Sequence, residues 1–528
     1  MPIMRVISVL VSGIALSSAC AGAGSDSSDG GAGPETGLQE GGTEGGADAG
    51  KAAADGAAAK TCKPDEISCG GACVVTSSCS FSVTSLDPPT GWQSGRGYVT
   101  LHGSGFVAGT TVSIADGRAP ARIVDATKIL IETPPGPVGS QDVTVSVSGA
   151  KAVLRGGFTY QTAGLTPPWQ QRGLTTGRVE TSVAVLQDGR ALIAGGLAGL
   201  AWSTAVDTAD IYTEPGAAAV VAANSMSTQR FIPAAVTLLT GKVVVAGGAC
   251  QLSSATDGCI GNLKSVDVFD PSTNKFTPSA ASLPDDSVAV QGILLVDGRV
   301  LFLTNSAPRA AIYDPGSDSI KVVPVPVAGP YGIAYPFLVR LRDGRVLLGA
   351  GALTGTGSPG SYTFLFDSSS DAFTATGSFA VLRFGATANT LPDGRVVVMG
   401  GADPSSNAPL DTVEFYDPVA ETFSLAPYKM SVPRAGHASV LVRDGTVLAI
   451  AGATTAGGYC TTLGTWTATV DQIDPVAGKI TPFPALAQPV QGITGVVMTD
   501  GSVLVAGGAQ CGVAPEPYVD FLQGAMIR

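Results

Sequence analysis

Asp188-Gly189-Arg190-Ala191-Leu192-Ile193-Ala194-Gly195-Gly196 is a turn signal, an apolar run and a glycine pair, and the chain repeats this pattern six more times. The other copies are TGKVVVAGG from Thr240, DGRVLFLTN from Asp297, DGRVLLGAG from Asp343, DGRVVVMGG from Asp393, DGTVLAIAG from Asp444 and DGSVLVAGG from Asp500. Successive copies start 46 to 57 residues apart. Asp-Gly between apolar runs predicts a hairpin with a two-residue type I′ turn, in which both central residues take φ > 0. The run that follows, such as Val243-Val244-Val245 or Val396-Val397-Val398, is apolar on consecutive residues. That is the pattern of a strand buried on both faces.

Two further strands follow each hairpin. The third is marked by IYTEP at Ile211, VFDPS at Val268, IYDPG at Ile312, LFDSS at Leu365, FYDPV at Phe415, QIDPV at Gln472 and YVDFL at Tyr518. Most of these run into an Asp-Pro type turn, where proline fixes φ. A returning fourth strand is visible as NKFTP at Asn274, DAFTA at Asp371, ETFSL at Glu421 and GKITP at Gly478. The period near 50 with its closing Gly-Gly resembles the kelch repeat, and seven units of four antiparallel strands imply a seven-bladed propeller over residues 165–528. No fourth strand follows the seventh marker. Pro167-Pro168-Trp169-Gln170 is expected to supply it, so that one blade joins both ends of the ring and leaves no open edge.

Residues 1–20 read as an export signal: Arg5, an apolar core from Val6 to Leu16, then Ser17-Ser18-Ala19-Cys20. The core is too short for a stable bilayer span. The segment resembles a bacterial lipobox, with Leu16 one place further from Cys20 than the family pattern and Ser17 in the usual Leu position. The resemblance implies lipidation of Cys20 and, with Ala21 after it, an outer-membrane or cell-surface lipoprotein that touches the membrane only through its anchor. The alternative is an ordinary signal cut near Ala21-Gly22-Ala23, leaving a periplasmic or secreted protein. Residues 21–60, almost all Gly, Ala, Ser, Asp and Glu, cannot bury enough apolar surface to order themselves and are expected to be a tether.

With Cys20 set aside, eight cysteines remain, an even number in a chain destined for an oxidising compartment. Cys62, Cys69, Cys73 and Cys79 lie in a small Cys-rich segment, residues 61–80, expected to be stapled by disulfides. Zinc is the alternative there, but the spacing fits a finger poorly. Cys250 and Cys259 flank one short loop and are expected to pair. Cys460 and Cys511 follow the second strands of adjacent blades and suggest a cross-blade disulfide.

Residues 81–161 alternate short strands with Gly and Pro turns, as in a β-sandwich of immunoglobulin size. Pro88 and Gly91, Gly103-Ser104-Gly105-Phe106, Thr133-Pro134-Pro135 and Phe158-Thr159-Tyr160 closely resemble the IPT/TIG family. The resemblance implies a spacer or interaction module. The expected fold class is therefore all-β: an immunoglobulin-like IPT/TIG sandwich, then a seven-bladed kelch-type β-propeller closed by an N-terminal strand.

The galactose-oxidase family joins the same two modules in the opposite order, which raises copper radical chemistry. A copper site of that kind needs two imidazoles. The chain has two histidines, and His102 falls in the sandwich while His437 falls in the propeller, in a packing position of many kelch repeats. No copper site, metal or other cofactor is expected. A Ser-His-Asp constellation would have to use His437, and no Gly-x-Ser-x-Gly elbow is present. Paired carboxylates for glycoside hydrolysis remain open, although the recurrent Asp residues are explained as turn residues. Nothing in the sequence supports an enzyme.

One repeated charge has no such explanation. Ten residues before the turn stands Arg178, Arg230, Arg383 or Arg434 in four units, and Ser287, Ile333 or Val490 in the other three. These arginines are candidates for a ring at the channel mouth that binds a carboxylate or phosphate. The alternative is that each fastens a neighbouring blade through loop carbonyls. Tyr331, Tyr335, Trp202, Tyr459 and Trp466 lie in or near loops of the same rim and are candidates for stacking. A net charge of −12 and a pI near 4.7 disfavour nucleic acid. The reading is thus a monomeric envelope protein that presents a propeller rim to a protein, peptide or glycan. The alternative is an extracellular carbohydrate-active enzyme of galactose-oxidase-like architecture without the copper site.

Overall fold

The structure, a computed structural model, describes residues 66–69, 72–75, 81–198, 204–213, 221–222, 224–250, 261–287, 291–304, 306–354, 359–455, 465–509 and 518–524. The described residues fall into two units, one holding residues 66–75 and the other residues 81–524. In the first, Glu66–Cys69 and Ala72–Val75 pair as an antiparallel hairpin carrying Cys69 and Cys73. Cys20, Cys62, Cys79, Cys259, Cys460 and Cys511 lie outside the described residues, as do the signal segment and the tether. Every regular element described is a β-strand.

Residues 82–161 fold as a sandwich. One sheet has the order Ser82–Asp87, Tyr98–Ser104, Lys128–Glu132, Ala121–Asp125; the other has Thr90–Trp92, Ala150–Gln161, Gly139–Val147, Thr111–Ile114, Gly117–Ala119. Strand alternation sends Leu101, Ile129, Ile131, Val112, Val143 and Val145 into one core, closed by Phe158 and Tyr160.

Seven four-stranded antiparallel sheets follow. Their innermost strands are Ser182–Val185, Ala234–Thr237, Gln291–Leu294, Phe337–Arg340, Thr387–Thr390, Ala438–Leu441 and Gln491–Val497, which define blades 1 to 7. Each innermost strand touches the next and the seventh touches the first, so the sheets close a ring. Blade 7 takes its outermost strand from Leu165–Gly173, which pairs antiparallel with Tyr518–Gly524. Trp169 of that strand packs on the core shared by blades 6 and 7 and donates from Nε1 to the Pro484 carbonyl at 2.8 Å.

The apolar second strands explain why the ring coheres. In blade 2, Val243 and Val245 face blade 1, packing with Leu192 and Ile211, while Val244 and Ala246 face blade 3, packing with Leu294 and Phe302. Alternation thus serves two neighbours instead of core and solvent. Each fully buried valine contributes about 1.5–3 kcal/mol. On the outer strands, Phe276, Phe373 and Phe423 stack on Phe269, Phe366 and Tyr416 of the third strands at centroid distances of 5.0, 4.9 and 4.8 Å.

The Asp-Gly hairpin differs from the expected type I′ form. In the first copy the Gly189 N–H donates to the Leu186 carbonyl and the Leu186 N–H donates to the Arg190 carbonyl. Gly189 is left-handed (φ 88°), while Asp188 is not among the residues with positive φ. This is the three-residue hairpin loop, a turn followed by a left-handed glycine in a bulge. The same hydrogen-bond pair recurs at Leu238, Leu295, Leu341, Leu391, Val442 and Met498. Aspartate is favoured because its Oδ1 accepts the N–H two residues on, as Asp188 does from Arg190 at 3.1 Å.

Candidate functional site

The four recurrent arginines do not face the channel. Arg178, Arg230, Arg383 and Arg434 are fully buried, each paired with an acid on the third strand of its own blade: Asp210 at 3.2 Å, Asp267 at 2.6 Å, Glu414 at 2.6 Å and Asp471 at 2.8 Å. In blade 2 the Arg230 guanidinium also donates to the Gly247 and Ser265 carbonyls, both at 3.1 Å. Asp267 in turn accepts from the N–H and hydroxyl of Ser227, in the segment that enters the blade. The pair locks entry segment, second strand and third strand together. Burial lowers the guanidinium pKa and the paired acid raises it in part. With no exposed donor left, these arginines cannot serve as the ligand-binding ring that their repetition suggested.

Fastening between blades falls to other arginines, those of the Asp-Gly-Arg turns. Arg190 of blade 1 reaches the Pro271 carbonyl of blade 2 at 3.1 Å. Arg299 of blade 3 binds the blade 4 turn through Asp371 at 2.7 Å and the Ser368 carbonyl at 2.8 Å. Arg345 of blade 4 binds Glu421 of blade 5 at 2.7 Å.

At the rim opposite the Asp-Gly turns, the innermost strands begin around the channel mouth. The residue two places after the arginine slot is left-handed in every described copy: Glu180 (φ 59°), Ile232 (50°), Tyr335 (42°), Gly385 (61°), Gly436 (59°) and Gly492 (67°). In three copies this conformation lets the N–H meet the carbonyl of the preceding copy: Glu180 to Gly492 at 3.2 Å, Ile232 to Glu180 at 2.8 Å and Gly385 to Tyr335 at 3.0 Å. Glycine adopts it freely. Three of the described copies hold a side chain there instead, at about 1–2 kcal/mol each.

Those three side chains share one region. Tyr335 of blade 4 and Ile232 pack on a cluster built from blades 1 and 2, Val179, Leu197, Ala205, Phe231 and Ala249, so the tyrosine ring reaches across the mouth. The Glu180 carboxyl leans over Gly492 and forms no ion pair among the described residues. Burial pushes its pKa up to about 7. The Tyr335 hydroxyl is held above its ordinary value, first by burial and then by the charge of Glu180. Strained residues that carry chemistry mark functional sites more often than packing sites. Tyr335 is one of the stacking candidates of the sequence, whereas Glu180 and Ile232 are not among its candidates; their signal is that Arg383-Phe384-Gly385 and Arg434-Ala435-Gly436 become Arg178-Val179-Glu180 and Arg230-Phe231-Ile232.

The other end of the channel is covered by the sandwich. Its Arg118 and Ala121 N–H groups donate to the Arg342 and Val296 carbonyls at 2.6 and 3.2 Å, and Arg122 Nε donates to Leu239 at 2.8 Å. Each acceptor immediately precedes an Asp-Gly or Thr-Gly turn. Gln93 donates to the Arg443 carbonyl at 3.3 Å, and the Arg443 guanidinium lies 4.7 Å over Trp92. Glu132 meets Arg340 at 2.6 Å with both side chains mostly buried. Burial raises the Glu132 pKa, but Arg340 and Arg96 outweigh it and leave it below the usual range.

Among the other candidates, Tyr331 is exposed and Trp466 half-buried, while Trp202 and Tyr459 lie outside the described residues. His437 is buried, its Nε2 2.9 Å from Thr387 Oγ1, and is wedged between Gly400 and Gly452. Among the described residues no cluster of His, Cys, Asp or Glu is arranged to hold a metal.

Comparison with known proteins bears on the sandwich first. Residues 82–161 match the model of the IPT/TIG domain family. The IPT/TIG match ends where the propeller begins and names no more of the chain. No curated protein matches the chain. A solved structure titled "Structure of YjhT" is similar over 66% of this chain and 95% of that one, at 12% identity and a TM-score of 0.42.

Proposed function

We propose that this protein is an exported binding protein of the cell envelope that offers the propeller rim around Glu180, Ile232 and Tyr335 to a protein, peptide or glycan. The observation that carries this reading is the position of the IPT/TIG segment. Its bonds to blades 2, 3, 4 and 6 occupy the Asp-Gly end of the ring, and among the described residues the sandwich makes no bond to the opposite rim. That rim also carries the loops between second and third strands. Loops on a rigid scaffold are the usual place for recognition. The N-terminal segment supports export with lipid on Cys20, and Cys250 is disulfide-bonded, as expected in an oxidising compartment. The acidic balance argues against nucleic acid as the partner.

A second reading, an enzyme on carbohydrate, rests on Glu180. A carboxyl with a pKa near 7 is a proton donor at neutral pH, the property a general acid needs. Binding is preferred because no second carboxylate faces Glu180 among the described residues.

The test is a glycan and peptide array probed with the full-length protein and with Tyr335→Gly and Glu180→Gly, which install the residue that blades 5 to 7 use. Binding that disappears in the still-folded variants supports the rim. Binding that survives both moves recognition elsewhere, and turnover of an arrayed glycan that Glu180→Gln abolishes favours the enzyme.

A further inference from the structure

Between the IPT/TIG segment and the inner strands, at the foot of the channel, lies a chamber of about 290 Å³. We infer that this chamber binds a small organic anion, with Arg96 as the recognition group. The inference does not depend on a ligand at the rim.

The chamber's charged lining is three guanidiniums, Arg96, Arg340 and Arg342, against one carboxylate, Glu132. Arg340 is committed, to Glu132 at 2.6 Å and to the Leu294 carbonyl at 2.8 Å. Arg342 uses two nitrogens on the Pro392 and Ala115 carbonyls, and its Nε is buried with no partner. Arg96 makes no ion pair or side-chain hydrogen bond among the described residues. Its backbone is nevertheless fixed: the N–H donates to Thr133 at 2.8 Å and φ is 64°, a left-handed conformation uncommon for arginine. A strained, anchored backbone therefore presents an exposed guanidinium whose charge acts on Glu132 but which makes no direct side-chain bond among the described residues.

Beside it, Ser94 is 4% exposed and its Oγ is buried without a partner. Leaving a buried polar atom unsatisfied costs about 1–3 kcal/mol. The Arg342 Nε–H and the Arg96 guanidinium can only donate and the Ser94 hydroxyl can do so, which points to an acceptor as their partner. Water would satisfy a donor but not the excess positive charge, which stands out in a chain of net charge −12. Val183, Leu294 and Val440 form apolar wall, suited to a carbon body rather than an inorganic ion. At roughly 30 Å³ per water the space admits a ligand of about ten non-hydrogen atoms. Charged groups set in a cavity of mixed polar and apolar wall, at a junction of two domains, suit a small polar molecule with a carbon body. A carboxylate on Arg96, within reach of the Ser94 hydroxyl, completes it.

Calorimetric titration of the full-length protein with acetate, succinate, benzoate and sulfate, with glycerol as the neutral control, tests this. One of the carboxylates should bind with unit stoichiometry, more tightly than sulfate, while glycerol gives no heat. Arg96→Ala should weaken that binding by about tenfold or more with the unliganded melting temperature nearly unchanged, and Arg96→Lys should retain part of it. Ser94→Ala, a smaller change in case Arg96→Ala fails to fold, should weaken binding severalfold. The inference is overturned if no carboxylate binds below about 10 mM, or if folded Arg96 and Ser94 variants bind as the parent does.

Discussion

Arg230 and Asp267 meet at 2.6 Å with neither side chain exposed to solvent, and the same couple is built in blades 1, 5 and 6. In blades 3 and 4 both members are missing, whereas blade 7 has Val490 in the arginine slot and keeps an acid, Asp520, at the matching third-strand position. Register places Ala311 and Phe364 at the corresponding third-strand positions of blades 3 and 4, whose arginine slots hold Ser287 and Ile333. The buried ion pair is thus a feature of four blades, and blades 3 and 4 dispense with both of its members.

Breaking one half should be costly. Arg230→Ala leaves the Asp267 carboxylate buried without its cation, and we expect a loss of about 3–5 kcal/mol in chemical denaturation. The double variant Arg230→Ile/Asp267→Phe, which copies blade 4, should recover most of that loss. Equal destabilisation by single and double variants would show that the loss does not arise from an uncompensated buried carboxylate.

Arg299 joins blades 3 and 4 through Asp371, Ser368 and its own turn residue Asp297. Its guanidinium is about a quarter exposed, so solvent screening limits the pair. Arg299→Ala should cost about 1–2 kcal/mol, and Arg299→Lys should recover only part, because an ammonium cannot fork between turn and neighbour. Denaturation midpoints of the two variants decide it. A full rescue by lysine would reduce the contact to simple charge attraction.

The repeat made the ring legible before any coordinates, because hairpin turn, apolar run and aromatic fourth strand are local features that recur. The site was less legible, for a physical reason. Arg230 and Asp267 lie 37 residues apart and meet only through strand pairing, so the repetition of arginine looked like a surface ring. Tyr335 was legible as a rim aromatic, but Glu180 and Ile232 were hidden by the opposite effect: they break the repeat, and only the left-handed φ shared by all three shows what the replaced glycine was for. The turn type was misjudged because Asp-Gly suits both the two-residue loop and the three-residue loop with a bulged glycine.

His437 should remain neutral throughout the physiological range. Burial, then the neighbouring Arg434 and Arg383 charges, bring its pKa down to about 3. Its folded pKa is thus below the unfolded one, so the folded state resists charging, and stability is lost as pH falls from about 6.5 toward 3. In an NMR titration the His437 ring carbon resonances should stay flat between pH 5 and 8. A midpoint near 6.5 would mean that the ring is solvated and that its wedge between Gly400 and Gly452 is loose.

Glu180 should give the protein a pH dependence of the opposite slope. Burial raises its pKa from 4.5 to about 7, so between those values the folded state holds a proton that the unfolded state has released. Stability then falls as pH rises through the window and levels off above about 7. Glu180→Gln keeps shape and polarity but cannot ionise, so its melting temperature should lack this component and its advantage over the parent should grow from pH 4.5 to pH 7. Glu180→Gly should show the same loss of pH dependence and also remove the strain of a left-handed side chain, worth about 1 kcal/mol, against the packing it gives up. If parent and Glu180→Gln trace parallel curves across the window, the carboxyl is hydrated at the mouth and the case for a proton donor there collapses with it.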